Sequence, residues 1–260
     1  MKKKIRLIIV SLVIVAVFLI AKTVLEPDAS SQQVSQSLTD PSAVVDETDQ
    51  SPIVEEQEPE IEKVKVVIDP GHGGEDPGAE GASGSYEKNF TLRVSQMIAS
   101  LLEDDPYIQV YMTREEDVFL SSETRERPQY ANELDADLFL SIHANTFADP
   151  TVTGTETFYY HDHSLSLAET IQRHVVEATG FRDRGVSQEN FFVLRDTHMP
   201  AALVEVGYIT NPLDEEVMLT EEFQRSVAES IVAGIREYTD PEPSVEGASN
   251  GDEQPNTSLQ

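Results

Sequence analysis

Apolar and polar positions follow two different periods through the middle of this chain. Short apolar runs at 65–69 (KVVID), 108–113 (IQVYMT), 136–144 (ADLFLSIHA), 154–161 (GTETFYYH), 190–195 (NFFVLR) and 201–207 (AALVEVG) predict six strands. Stretches with a period near 3.6 lie between them. In 87–104, Phe90, Val94, Met97, Ile98, Leu101 and Leu102 share one helical face, and in 221–238 Phe223, Val227, Ile231 and Ile235 form a stripe. Residues 122–135 and 165–180 predict two more helices, the first disturbed near its start by Pro128, the second ending at Gly180. The run at 136–144 is apolar on both faces and therefore central in a sheet. Strands alternating with helices predict an α/β fold: a single domain with a mostly parallel or mixed central sheet of about six strands, flanked by helices on both faces. In such sheets the site gathers at the carboxyl ends of the strands.

The pattern stops at both ends of the chain. A basic MKKKIR precedes the apolar run 7–21, which Lys22 closes. Residues 1–25 are thus expected to be a signal peptide or a signal-anchor. No A-x-A-like cleavage site follows, which favours the uncleaved anchor. The basic flank then stays in the cytoplasm and the rest is exported to the cell-wall side of the membrane. Anchored or, if cut, secreted, the protein meets the cytoplasmic membrane only through this segment.

Residues 26–62 hold eleven acids and no Lys or Arg, and are expected to form a disordered linker; the acidic tail 240–260, with five acids, is expected to be disordered too. These sixteen of the 48 acids leave 32 between 63 and 239, facing 13 Lys and Arg. With a formal net charge of -30 over the whole chain, nucleic acid is excluded as a simple electrostatic partner. The chain has no Cys, which excludes thiolate metal sites, disulfides and thiol nucleophiles. No pattern signals an oligomer, and a monomer is assumed.

Candidate chemistry sits where strands end. His72 follows the first strand in VVIDPGHGGEDPGAEG, a glycine-rich loop that offers little to pack a histidine. His143 ends the third strand. Glu205 lies inside the last, where a buried carboxylate is costly unless something pairs with it. Glu87 opens the first helix, a place that suits a carboxylate without any further role. Two His and a carboxylate with one position left for water form a catalytic metal arrangement, and a second carboxylate can then move protons. Other histidines read differently: His161 and His163 as a surface turn, His174 as exposed on its helix, and His198 as a neighbour of the cleft. The acids of GEDPGAEG read as solvated, and Asn145 as an orienting group for the loop after His143.

Four stretches taken in order, VVIDPGHGG, YEKN, ADLFLSIHAN and PAALVEVGYITN, resemble the zinc-dependent N-acetylmuramoyl-L-alanine amidases of the amidase-3 type over about 64–238. The resemblance implies one Zn2+ held by His72, Glu87 and His143, and Glu205 as the catalytic carboxylate. It implies peptidoglycan as substrate, cut at the amide between N-acetylmuramic acid and the L-alanine of the stem peptide. Thr113–Arg114 and Arg127–Asn132 share the resemblance without an implied role. Some relatives carry an inserted helix that plugs the metal site; between His143 and Glu205 only one long helix and short segments are expected, so no plug is. A wall-binding module that had lost catalysis would lack one of the four residues, and none is missing. A zinc hydrolase of another amide would differ only in its substrate.

Overall fold

A computed structural model describes residues 62–239. The expected anchor (1–25), linker (26–62, apart from Glu62) and tail (240–260) lie outside the described residues. Among those described, no helix is long and apolar enough to cross a membrane.

Six strands form one sheet: β1 (Val64–Pro70), β2 (Ile108–Met112), β3 (Leu138–Asn145), β4 (Thr155–Tyr159), β5 (Asp183–Gln188) and β6 (Ala201–Tyr208). Their order is β2-β1-β3-β6-β4-β5. The first four positions run parallel, and β4 joins β6 antiparallel with β5 parallel to β4, so the sheet is mixed. β3 is central, as its two apolar faces require.

Alternation along the strands builds two cores. Val66, Ile68, Leu138, Leu140, Ile142, Ala202 and Val204 point to one face, and helices α1 (Glu87–Leu102), α3 (Leu165–Thr179) and α6 (Glu221–Thr239) cover them. Val67, Phe139, Ala201 and Leu203 point to the other, beneath α2 (Glu126–Glu133) and the short α4 (Phe192–Arg195). Leu140 is fully buried in the larger core. Leu140→Ala should cost about 2–5 kcal/mol, read as a lower denaturant midpoint with an unchanged slope.

Two local expectations need correction. Residues 190–195 do not form a strand. Leu194 and Arg195 N–H groups both donate to the Phe191 carbonyl, closing a helical turn that drops Val193 and Leu194 into the second core. The strand beside β4 is instead polar Asp183–Gln188, which pairs on one side only and buries no residue. The helix expected from 122 begins at Glu126, after Arg125 in a left-handed conformation with φ 59°. Pro128 then falls in the first turn, where its missing N–H costs no helical bond. A further helix, α5 (Pro212–Met218), follows β6; Asn211 caps it by accepting from Leu213 N and Asp214 N, with Pro212 at the first position.

Candidate metal centre and catalytic cleft

The second face of the sheet turns from apolar to polar along the strands. Its first row across β1, β3 and β6 is Val67, Phe139 and Ala201. The next is Asp69, Ser141 and Leu203, and beyond it His143 stands opposite Glu205. A side-chain period of two, carried two residues further, therefore lifts His143 and Glu205 out of the core and onto its rim. The pairing register slips between His143 and Asn145, where the strand leaves the sheet.

His72 reaches the same place from the loop after β1, and Glu87 from the first turn of α1. One ligand atom from each of His72, Glu87 and His143 lies within 4.8 Å of the others. His72 Nε2 is 3.1 Å from Glu87 Oε2, and His143 Nδ1 is 3.0 Å from Glu87 Oε1. Backbone amides fix the carboxylate: Ala79 N donates to Oε2 and Ala144 N to Oε1. Burial pushes the Glu87 carboxyl up, but the two imidazoles and their hydrogen bonds hold it far below the usual carboxylate range. Two glycines make room. A Cβ on Gly71 would collide with the His143 ring, and one on Gly78, at φ 67°, would lie 2.6 Å from Glu87 Oε2.

Asp76 corrects the expectation that the loop acids are all solvated. Its Oδ2 lies 2.9 Å from His72 Nδ1 and its Oδ1 accepts from Gly78 N. With Nδ1 so engaged, Nε2 is the nitrogen left for the cluster, the usual arrangement of an outer carboxylate behind a ligating histidine. His72 itself holds a left-handed backbone, φ 60°. Its neighbours explain how. Arg127 donates to Asp69 Oδ1, the Pro70 carbonyl and the His72 carbonyl, each at 2.6 Å. Arg114 donates to the carbonyls of Pro70 and Gly71. Two buried guanidiniums thus supply the donors that a continuing strand would have supplied.

These arginines are the functional residues that sequence reasoning left without a role. No local pattern announces them, because the groups they hold lie 43 to 58 residues away. Glu215 is another: from α5 it accepts from Ser83 N, Ser83 Oγ and Ser85 Oγ, bracing the loop that leads into Glu87.

The Arg127–Asp69 pair is sealed, with 7% and 0% side-chain exposure. Burial pushes the Asp69 carboxyl up; Arg127 and the Ser141 and Thr113 hydroxyls override it and hold the pKa below its ordinary value. A lowered folded-state pKa contributes stability that is present above the unfolded value and is lost as pH falls through the folded one. Arg127→Met strands the carboxylate and should destabilise the fold by about 3–5 kcal/mol, measured by urea unfolding near pH 7. The deficit should shrink as the solution is acidified.

Glu205 is the fourth convergent group. Its Oε2 is buried and, among the described residues, has no hydrogen-bond partner. Burial, and then the charges of Glu87 and Glu156, raise its pKa well above the ordinary carboxylate value. Glu156 stands opposite Glu205 on β4 and is itself held by Asn145 Nδ2 and the Tyr208 hydroxyl. Asn145 therefore ties β3 to β4 through Glu156.

The remaining histidines stay outside the cluster. His161 and His163 stack with ring centroids 5.2 Å apart in a surface turn. His174 is half-buried rather than exposed, and meets Glu237 of α6 at 2.9 Å. His198 is exposed and does not line the cleft.

The donor set fits a divalent cation that accepts imidazole and carboxylate ligands. Two ring nitrogens and a carboxylate oxygen converge at the floor of a cleft of about 410 Å³, with a partnerless carboxylate oxygen among the lining residues.

Comparison with known proteins agrees with this geometry. Residues 66–237 match the Amidase_3 model, described as N-acetylmuramoyl-L-alanine amidase. Bacillus subtilis (strain 168) YqiI, an uncharacterised protein, is 40% identical over 73% of this chain and 91% of its own length. The probable cell wall amidase LytH of Staphylococcus saprophyticus is 37% identical over 66% of this chain, which spans only 57% of LytH. Among solved structures, the catalytic domain of CwlV, an N-acetylmuramoyl-L-alanine amidase from Bacillus (Paenibacillus) polymyxa var. colistinus, superposes with a TM-score of 0.67 at 42% identity, covering 69% of this chain and 99% of that one. An N-acetylmuramoyl-L-alanine amidase from Clostridium difficile 630 gives 0.66 at 39% identity, over 70% and 99%. The chain belongs to the Amidase_3 family of N-acetylmuramoyl-L-alanine amidases.

Proposed function

We propose that this chain is a peptidoglycan hydrolase that uses one Zn2+, held by His72, Glu87 and His143, to cut the amide between N-acetylmuramic acid and the L-alanine of the stem peptide. Family membership supports the reaction. The observation that carries the site is the convergence of those three side chains beside Glu205, whose buried Oε2 lacks a partner.

A zinc ion held by these residues would supply Lewis acidity, polarising the scissile carbonyl and making water a competent nucleophile near neutral pH. The chain's own residues do the rest. Asp76 keeps the proton on His72 Nδ1, so that Nε2 offers its lone pair. The Ala79 and Ala144 amides hold the Glu87 carboxylate in place. Glu205 takes the proton of the attacking water and returns it to the L-alanine nitrogen as the C–N bond breaks. Its raised pKa suits both halves of that transfer, and a nearby cation offsets part of the rise.

We assign the enzyme to the cell-wall side of the cytoplasmic membrane, anchored through residues 1–25 if these are not cleaved and secreted otherwise. The basic flank and the apolar run 7–21 support this. Digestion of purified peptidoglycan tests the reaction. The products expected are stem peptides with a free L-alanine amino terminus and glycan strands of unchanged length. Shortened glycans, or peptides cut internally, would contradict it.

A further inference from the structure

One wing of the cleft is aromatic and serves no purpose in the chemistry above. Phe119 and Phe191 both line it, and they remain 46% and 40% exposed. Each is held in place. Asp117, two residues before Phe119, accepts from Gly74 N and Lys88 Nζ, which fixes that loop against the glycine-rich loop. Phe191 packs edge-on against Phe158, centroids 5.4 Å apart. Pinned aromatic rings left open to solvent beside a catalytic centre indicate a ligand surface rather than core.

The chemistry of the wing selects its occupant. Among the residues that line the cleft Arg127 is the one Arg or Lys, and Asp69 consumes its charge. An ionised peptide segment would find no counter-charge there. A pyranose ring needs none: its C–H faces suit aromatic walls and its hydroxyls reach the solvent side.

We infer that Phe119 and Phe191 form a subsite for the uncharged N-acetylmuramoyl ring, so that the stem peptide leaves by the opposite wing, past Ala79 and Asn145. This rests on the amidase reading for the orientation of the substrate, though binding of the sugar does not depend on it.

The test uses the full-length chain in detergent, loaded with zinc, and the single variants Phe119→Ala and Phe191→Ala. Two substrates share the same amide: N-acetylmuramoyl-L-alanyl peptide, and D-lactoyl-L-alanyl peptide, which lacks the ring. Binding of N-acetylmuramic acid methylamide, which carries the ring and no charge, is followed in parallel by saturation-transfer NMR. In each variant the preference for the ring-bearing substrate should fall roughly tenfold, through KM rather than kcat, the scale of about 1.4 kcal/mol. Binding of the free sugar should weaken with it. Both side chains are exposed, so thermal midpoints should hold.

Equal losses on the two substrates would place the peptide in this wing and overturn the inference, as would an unchanged preference. Phe-dependent sugar binding without cleavage of either substrate would keep the subsite and sink the amidase reading. Cleavage of both with no sugar binding would do the reverse.

Discussion

Replacing Glu205 by Gln is expected to lower turnover on peptidoglycan by about 10²–10⁴-fold while bound metal stays at the wild-type level. The variant keeps the shape of the side chain but cannot accept a proton. No ligand atom of the cluster is removed, so metal content separates this loss from a loss of cofactor. The same variant should stabilise the metal-free protein. Burial and the charges of Glu87 and Glu156 raise the Glu205 pKa above its unfolded value. The folded chain then keeps a proton that the unfolded chain releases. Stability of that origin is intact below the unfolded pKa and is lost as pH rises through the folded one. Gln carries no such cost, so the thermal midpoint of Glu205→Gln should exceed that of the wild type at about pH 8 and converge with it towards about pH 4. A variant as active as the wild type would remove Glu205 from the proton transfer.

The second large effect concerns the cluster. His72→Ala and His143→Ala should each abolish stoichiometric metal binding and, with it, detectable cleavage. Each removes one of the three proposed ligands, so the affinity loss should exceed the 10–100-fold typical of an outer partner. Asp76→Asn supplies that comparison. It leaves Nε2 of His72 in the cluster but loosens the carboxylate contact at Nδ1. Competition against a chromophoric chelator should rank the proteins as wild type, then Asp76→Asn, then the two Ala variants. Ala variants that bind metal as tightly as the wild type would refute the assignment of these ligands.

Much of this is legible in the sequence, for a physical reason. β3 carries its own evidence: an eight-residue strand buried on both faces must be central, and a histidine at its end must emerge at the rim. Glu205 was conspicuous because a carboxylate in an apolar strand needs a cause. What stayed hidden depends on partners far away in sequence. β5 is a polar edge strand, and neither its composition nor its period distinguishes it from a loop. The segment 190–195 reads as a strand and folds as a helical turn, because a four-residue apolar run has no period long enough to separate the two. The Arg127 clamp depends on Asp69, Pro70 and His72 lying 55 to 58 residues away, and no local pattern announces it. Asp76 reads as solvated because glycine-rich loops usually leave their acids in water, and only the fold brings its carboxylate to His72 Nδ1. α5 was readable, since Asn211–Pro212 is a capping signal, but its first turn is acidic and offers no apolar stripe.

Metal content and reaction products measured on the same samples of the full-length protein test the central claim most directly. About one zinc per chain and release of stem peptides beginning with L-alanine are expected. Both should be lost on chelation, both should return with added zinc, and neither should be found in His143→Ala. Cleavage that persists in a protein stripped of metal, or a folded wild-type chain that takes up no zinc, would contradict it.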